Sequence, residues 1–339
     1  MKPVNVLVTG ASGYLGRQVV AGLATLRRKK KIGVIVAADV RPVSDADRLT
    51  GVTYAVSDIR EPGLEFVLKK NRVHTVVHLA SIVTPGKKSD RNFEYSVDVE
   101  GTRNVLDACV KAGVRHIVIS SSGAAYGYHP DNAEWLSETD PVRGNYEFAY
   151  SWHKRLVEEM LVEYRQRHKT LKQTIFRIGT ILGATVRNQI TDLFEKPRLI
   201  AIRGSRSPFV FIWDQDVVGV MLRAIVSGKA GIYNVAGDGA LSIREIAQRL
   251  GKRVVNLPPS LLRAALWLLK RLRLTQYGPE QINFLRYRPV LANRRLKEEF
   301  GYVPQKTSAE VFEFWKASRA GGRQEKVTLP NTTAKHRVG

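Results

Sequence analysis

The segment at residues 4–16, VNVLVTGASGYLG, limits what this chain can fold into more than any other stretch. A short apolar run at 4–9 enters a turn with glycine at 10, 13 and 16, and residues 14–26 then carry a helical pattern. Each glycine has its own physical use. Gly10 permits the tight turn out of the strand, and Gly13 lets a diphosphate approach the backbone N–H groups at the helix N-terminus. Gly16 lets helix and strand pack closely. With Ser12, Tyr14 and Leu15 among them, these residues are the expected cradle for a dinucleotide.

The second strand-like run, at 33–39, ends on the acidic residue that such a cradle calls for. The Asp39 carboxylate can accept both hydroxyls of an adenosine ribose and would repel a 2′-phosphate, so NAD is expected over NADP. Arg41, two residues on, could engage such a phosphate and keeps NADP open. Asp58 and Ile59 follow a third run at 53–57 and are expected to border the adenine. Asp58 also reads as a simple turn or cap residue.

Beyond these, helical patterns at 61–70, 94–112 and 147–167 alternate with apolar runs at 73–80, 117–120 and 172–177. A loop rich in Pro, Gly and Lys follows residue 80, and a longer one crosses 123–145. This alternation predicts an α/β fold, a Rossmann-type doubly wound parallel sheet covered on both faces. After residue 177 the alternation weakens, with short strands expected at 209–212 and 232–235 and a helix at 242–250 capped by Ser242. The expected division is a dinucleotide-binding domain from 1–178 and 209–236, and a smaller C-terminal substrate-binding lobe from 179–208 and 237–315. Residues 316–339 read as a basic, disordered tail.

Composition excludes several classes. Cys109 is the only cysteine, so no intrachain disulfide or multi-cysteine metal site can form; its place in a helical pattern suits a buried thiol in a reducing cytoplasm. No metal site is expected. The N-terminus shows no secretory pattern, and no apolar stretch is long enough to cross a bilayer. Lys and Arg number 54 against 31 acidic residues, a net charge of +23 that favours anionic partners. No recognition helix, zinc finger or RNA-binding sheet signature is present, so nucleic acid is not an expected partner. The segment 261–274 is both apolar and basic. It reads as lobe core with a solvated face or, alternatively, as a helix in weak contact with an anionic membrane surface.

Several motifs appear in a fixed order: TGASGYLG at 9–16, Asp58-Ile59, His78-Leu79-Ala80, EGTRNVLDAC at 100–109, SSSGAAYG at 120–127 and YSWHK at 150–154. PFVFIWDQDVV at 208–218, IYNVAGDG at 232–239 and FGYVP at 300–304 continue the series. The chain thereby resembles the extended short-chain dehydrogenase/reductase superfamily, in its NAD-dependent epimerase/dehydratase branch, over roughly its first 315 residues. The resemblance implies an oxidoreductase or epimerase acting on a small molecule with a secondary hydroxyl or ketone, with Ser122, Tyr150 and Lys154 as catalytic residues. It also implies that Leu79 and Ala80 run along the cofactor, that Tyr150 and Lys154 touch it, and that two long helices pair in a homodimer. It loosely places Arg177 and residues 179–183 near the nicotinamide. The residues agree with the catalytic assignment: Tyr150 and Lys154 stand four apart on a predicted helix and share a face. A nearby ammonium is expected to favour the phenolate, and Ser122 can hydrogen-bond the same substrate oxygen. His78 and His153 are expected to be structural.

The sequence departs from the family pattern in ways that bear on substrate. Asp98 stands where sugar-nucleotide members carry Asn, Gly183-Ala184-Thr185 replaces GPG or GPR, and Ser207 replaces an arginine that grips diphosphate. Arg206 or Arg288 could take over that grip. The catalytic serine segment lacks the carboxylate that a dehydratase needs. Three readings remain: 4-epimerisation of a nucleotide sugar, dehydrogenation of a hydroxysteroid-like or other lipophilic alcohol, and a non-catalytic NAD-binding regulatory or structural protein.

Overall fold

The computed structural model describes residues 3–83, 90–206, 208–272, 274, 278–279 and 281–324. The strands are β1 (Val4–Thr9), β2 (Ile32–Asp39), β3 (Thr53–Val56), β4 (Thr75–His78), β5 (His116–Ser122) and β6 (Lys172–Ile178), then β7 (Thr180–Leu182), β8 (Arg198–Ile202), β9 (Phe211–Trp213), β10 (Gly231–Val235) and β11 (Arg253–Leu257). The helices are α1 (Tyr14–Arg28), α2 (Leu64–Lys70), α3 (Arg91–Tyr95), α4 (Gly101–Lys111), α5 (Ala149–Arg167) and α6 (Gln189–Glu195), then α7 (Asp214–Ser227), α8 (Ile243–Leu250), α9 (Pro259–Arg271), α10 (Gln281–Arg286) and α11 (Ser308–Gln324).

Seven strands form one sheet in the order β10-β6-β5-β4-β1-β2-β3, and every pair in it is parallel. Of the apolar runs read from the sequence, those of β1, β2, β4, β5 and β6 are interior strands of this sheet, and β3 and β10 are its edges. On one face, Val19 and Leu23 of α1 pack with Val220 and Met221 of α7. On the other, Leu64 and Leu68 of α2 join Val105 and Leu106 of α4 and Leu161 of α5. The chain reverses winding direction beside β1, where β4 lies on its other side, so the β1–α1 turn opens at a topological switch point.

The helix expected over 94–112 is interrupted. Residues Ser96–Glu100 form a π-helical turn between α3 and α4, and this extra residue brings Asp98 and Val99 inward. Such single-turn π insertions recur where a helix must aim a side chain. Ser242 caps α8 as expected, accepting from the Glu245 N–H while the Glu245 carboxylate accepts from the Ser242 N–H.

The smaller lobe has its own core. Phe194 of α6 packs edge-on against Phe209, Phe312 and Trp315, with ring centroids 5.2, 5.8 and 5.8 Å away. Two sequence expectations need correction here. The tail does not begin at residue 316, because α11 runs through Gln324 and buries Val311, Phe312 and Trp315 in this core. Residues 325–339 lie outside the described residues. Leu296 and Phe300, assigned by sequence to the lobe, instead pack under the main sheet, where Phe300 sits 4.9 Å from the Tyr233 ring and 5.5 Å from Phe176. The second misplacement has a local cause: a short helical turn such as 296–300 shows which face is apolar but not which sheet it covers.

Truncation of Phe312, which is fully buried, leaves a cavity between β9 and α6. Phe312→Ala is expected to lower unfolding free energy in urea by about 3–5 kcal/mol. A loss below about 1 kcal/mol would show that α11 is not part of the lobe core.

Candidate active site

The β1–α1 turn is built by close backbone approach. Gly10 has φ +67°, and a Cβ there would stand 2.6 Å from the Ala80 amide nitrogen and 2.8 Å from the Leu79 carbonyl carbon. A Cβ at Gly16 would come within 2.2 Å of the Gly10 oxygen. Gly13 occupies the N-cap of α1, with no capping side chain and no acidic residue in the first turn. The N–H groups at the start of a 15-residue helix therefore face outward for an anion. Asp39 is buried and pinned at both oxygens: Oδ2 accepts the Ser12 N–H at 2.9 Å and Oδ1 the Arg41 N–H at 3.0 Å. The Arg41 side chain also turns toward Asp39, its Nε 3.4 Å from Oδ1. These features fit a dinucleotide: a cradle a Cβ would fill, an uncapped helix start, and a carboxylate fixed at the end of β2.

A cavity of about 460 Å³ begins at this turn, where Tyr14 and Leu15 form its wall with Leu79 opposite. The Tyr14 hydroxyl donates to Asp214 Oδ2 at 2.6 Å, and burial together with that carboxylate pushes the phenol up to about 12. A Cβ at Gly183 would meet Asp214 Oδ2 at 2.4 Å, so glycine is required where the chain enters the smaller lobe. Sequence reading missed Asp214 because it lies 200 residues from Tyr14. Asp58 and Ile59 are not among the residues that line this cavity. The Asp58 carboxylate binds Arg60, which holds it below the usual carboxylate range, and Ile59 is buried at Gly101.

Ser122, Tyr150 and Lys154 meet in the middle of the cavity wall. Ser122 ends β5, and its Oγ accepts the Ala124 N–H at 3.1 Å while bonding the Tyr150 phenol. Lys154 lies one turn after Tyr150 on α5. It is 6% exposed, its Nζ donates to the Ser120 carbonyl at 3.0 Å, and it stands 5.5 Å from the Tyr150 ring centre. Burial pushes the Tyr150 phenol up, and the Ser122 hydrogen bond opposes this without overcoming it. Burial lowers the Lys154 ammonium, with Asp98 and Glu158 opposing. Desolvation of the charged form thus works against the phenolate that a nearby ammonium was expected to favour.

Behind this trio lies a pair that sequence reading did not foresee. Asp98 Oδ2 stands 3.0 Å from His153 Nδ1, and both residues are almost wholly buried. Asp98 Oδ1 accepts from the Ser81 hydroxyl at 2.9 Å and from the Ile82 N–H at 2.8 Å. Burial raises the Asp98 carboxyl, but His153, the Lys154 charge, the Ile82 N–H and the Ser81 hydroxyl together hold it below the usual range. The residue thus ties the segment that follows β4 to α5 through a carboxylate, at the position where the resemblance gives sugar-nucleotide members an asparagine. His78 bridges Thr9 at 2.7 Å and Thr102 at 2.9 Å, and burial lowers it to about 3, which keeps it neutral.

Arg177 does not reach the cavity as the resemblance suggested. Its guanidinium is held by Glu158, with Nη2 2.7 Å from Oε2, and by the Tyr126 hydroxyl at 2.8 Å. Residues 179–181 do line the cavity. Of the two arginines weighed for an anion grip, Arg206 is exposed and 3.5 Å from Glu134, away from the cavity. Arg288 is in its wall, sandwiched 4.1 Å from the Phe209 ring centre and 4.4 Å from that of Phe284. Its Nε and Nη2 are buried without a hydrogen-bond partner, and burial lowers it to about 10. Among the described residues no cluster of His, Cys, Asp or Glu could hold a metal ion.

The sequence model described as the NAD dependent epimerase/dehydratase family matches residues 6–236. An uncharacterised protein of Mycobacterium tuberculosis is 28% identical over 318 residues, which covers 92% of this chain and 83% of that protein. A UDP-glucose 4-epimerase of Erwinia amylovora is 28% identical over 196 residues, covering 56% of this chain and 57% of that enzyme. Among solved structures, a short-chain dehydrogenase/reductase superfamily protein from Agrobacterium tumefaciens with bound NAD is 23% identical, with a TM-score of 0.69, and covers 95% of this chain and 99% of that one.

The Asp98 carboxyl makes a signed prediction. Its folded pKa lies below the unfolded value of about 3.9, so its stabilisation is full above that pH and is lost as pH falls through the folded value. Asp98→Asn is expected to cost about 2 kcal/mol near pH 7 in urea unfolding. The gap from wild type should shrink below about pH 4. A gap that stays constant down to pH 2 would mean the carboxylate is not what holds this junction.

Proposed function

The chain belongs to the NAD dependent epimerase/dehydratase family, and on that premise we propose that it is an NAD-dependent oxidoreductase acting at a secondary alcohol or ketone carbon. The observation that carries this reading is the meeting of Ser122, Tyr150 and Lys154 in one wall of the cavity that starts at the Gly10–Gly16 turn. Asp39, fixed by the Ser12 and Arg41 amides, supports NAD over NADP, and Arg41 itself is turned onto that carboxylate. NAD, when bound, supplies the hydride acceptor, and in its reduced form the donor.

The chain's own residues handle the proton. In the reduction direction the protonated Tyr150 gives its proton to the oxygen of the carbonyl as that oxygen becomes negative. Ser122 can hold the same oxygen through its hydroxyl, whose lone pair is already occupied by the Ala124 N–H. In the oxidation direction Tyr150 must first lose its proton. The Ser122 hydrogen bond and the nearby Lys154 charge make the phenolate less costly in a site where burial opposes it. Lys154 is pre-aimed by the Ser120 carbonyl, so it needs no rearrangement to act.

Arg288 favours a substrate that carries an anionic group. A guanidinium with two buried nitrogens unpaired, held between two aromatic faces, is costly unless an acceptor arrives. We therefore place a nucleotide-sugar 4-epimerase ahead of a lipophilic alcohol dehydrogenase. The second reading is supported by Val186, Phe209, Val210 and Leu291, which make much of the remaining wall apolar. A non-catalytic NAD-binding role is the third. We also propose a homodimer through α3, α4 and α5, where Phe93, Tyr95 and Val162 remain exposed, and a cytoplasmic setting that suits the buried Cys109 thiol.

Three measurements check these assignments. Native mass spectrometry is expected to show about one NAD retained per chain for an epimerase that recycles its cofactor. Protein recovered empty, with turnover dependent on added NAD, would move the assignment to net dehydrogenation. Tyr150→Phe is expected to retain NAD and lower kcat by about 10²–10⁴-fold. Unchanged turnover, or none in wild type across nucleotide sugars and secondary alcohols, would sink the catalytic reading. Arg288→Ala is expected to raise KM for an anionic substrate by about 10-fold or more with kcat less affected.

A further inference from the structure

Six of the exposed large apolar side chains fall between residues 261 and 274: Leu261, Trp267, Leu268, Leu269, Leu272 and Leu274. At 100° per residue, Leu261, Ala264, Ala265, Leu268 and Leu272 lie along one stripe, and all five are exposed. The adjacent side of the helix faces the protein, where Leu262 and Leu266 pack with Ile202 and Ile282. Arg271 and then Trp267 lie beyond the stripe on its other flank, with Arg271 5.6 Å from the Trp267 ring centre, while Arg263 and Lys270 are on the far side of the helix from the stripe. The segment 259–274 contains no Asp or Glu.

We propose that α9 seats this protein on an anionic lipid surface. The helix lies along the bilayer with its leucine stripe in the acyl boundary, and Arg271 at the edge of that stripe reaches the phosphate headgroups. Three observations select this occupant. The helix has 13 residues, about 20 Å of length, too short to cross a bilayer, and no described helix is long and apolar enough to do so. A second copy seated on the same stripe would bring Arg271, at the edge of that stripe, toward its own equivalent in a chain of net charge +23. A nucleic acid would pair with the cations of the helix but leave the leucine stripe in water. A lipid surface with anionic headgroups satisfies both halves at once, and an indole beside cations suits the interfacial region. The tail at 325–339 is a poor cover by charge, because it carries Lys326, Lys335 and Arg337 against the single acidic residue Glu325.

The seat is one packing layer from the cavity. Leu262 rests on Ile282 of α10, and the same short helix carries Phe284 into the cavity wall. The site therefore sits beside the lipid surface when α9 is docked, whichever substrate it takes.

The test uses full-length protein and phosphatidylcholine vesicles with or without phosphatidylglycerol, and its readout needs no turnover. Wild type is expected to float with the anionic vesicles, to bind neutral ones far more weakly, and to release as salt rises. Tryptophan emission should shift to the blue on binding, and Trp267→Phe should remove most of that shift. Leu268→Glu should abolish flotation, and Arg271→Gln should weaken it about fivefold. Both side chains are exposed, so unchanged thermal midpoints keep a loss of binding from being a loss of fold. No flotation by wild type with anionic vesicles overturns the proposal, as does flotation that Leu268→Glu leaves intact. Light scattering that shows a dimer broken by Leu268→Glu would assign the stripe to a second copy instead, and tight nucleic acid binding lost in Arg271→Gln but kept in Leu268→Glu would do the same for nucleic acid.

Discussion

The molecule depends on how closely three backbone segments approach at the end of β1. The Gly10 α-carbon packs against the peptide that joins Leu79 to Ala80, and Gly16 packs against the Gly10 carbonyl. Only residues without a Cβ permit both contacts, so α1 begins within van der Waals reach of the chain leaving β4. This fixes the direction of α1, and with it the outward-facing N–H groups. It also places Leu79 opposite Leu15 as the two sides of the cavity mouth. The topology then does the rest: the winding reverses between β1 and β4, and the crevice opens there.

The site proper rests on buried charge. Around Lys154 lie Asp98, which pairs with His153, and Glu158, which holds Arg177. Each carboxylate has a cationic or hydrogen-bonding partner of its own, so neither is left to bind the lysine outright. Burial lowers the Lys154 ammonium, the two carboxylates oppose this, and its Nζ donates to the Ser120 carbonyl while standing 5.5 Å from the Tyr150 ring centre. Such pairs add little net stability over a well-packed apolar core, but removing one partner is costly. Their effect is geometric: they hold α5 against β5 and against the segment after β4.

Arg288 shows the opposite condition. Where Arg177 has every nitrogen answered, Arg288 has aromatic faces on both sides and two nitrogens with no acceptor. Stacking offsets part of the desolvation cost, and an arriving anion would offset the remainder. The contrast separates an arginine whose nitrogens are all answered from one with two buried nitrogens unpartnered among the described residues, although in the sequence both are single arginines beside a strand or a loop.

The sequence by itself determined the parallel sheet, the glycine turn after β1 and the shared helical face of Tyr150 and Lys154, because each is written in local spacing. Glycines at 10, 13 and 16 follow an apolar run, Asp39 closes the next one, and Tyr150 and Lys154 stand one helical turn apart. Backbone sterics and helical periodicity act over a few residues, so these features can be read without knowing what packs on them. The tertiary structure alone decided what depends on distant partners. It buried Tyr150 so that desolvation raises its phenol, paired Asp98 with His153 across 55 residues, and engaged Arg177 while leaving two Arg288 nitrogens without a partner among the described residues. It also carried α11 past residue 316 and folded Phe300 beneath the main sheet. Desolvation and long-range pairing are properties of an enclosed volume, and no stretch of sequence states which groups will share one.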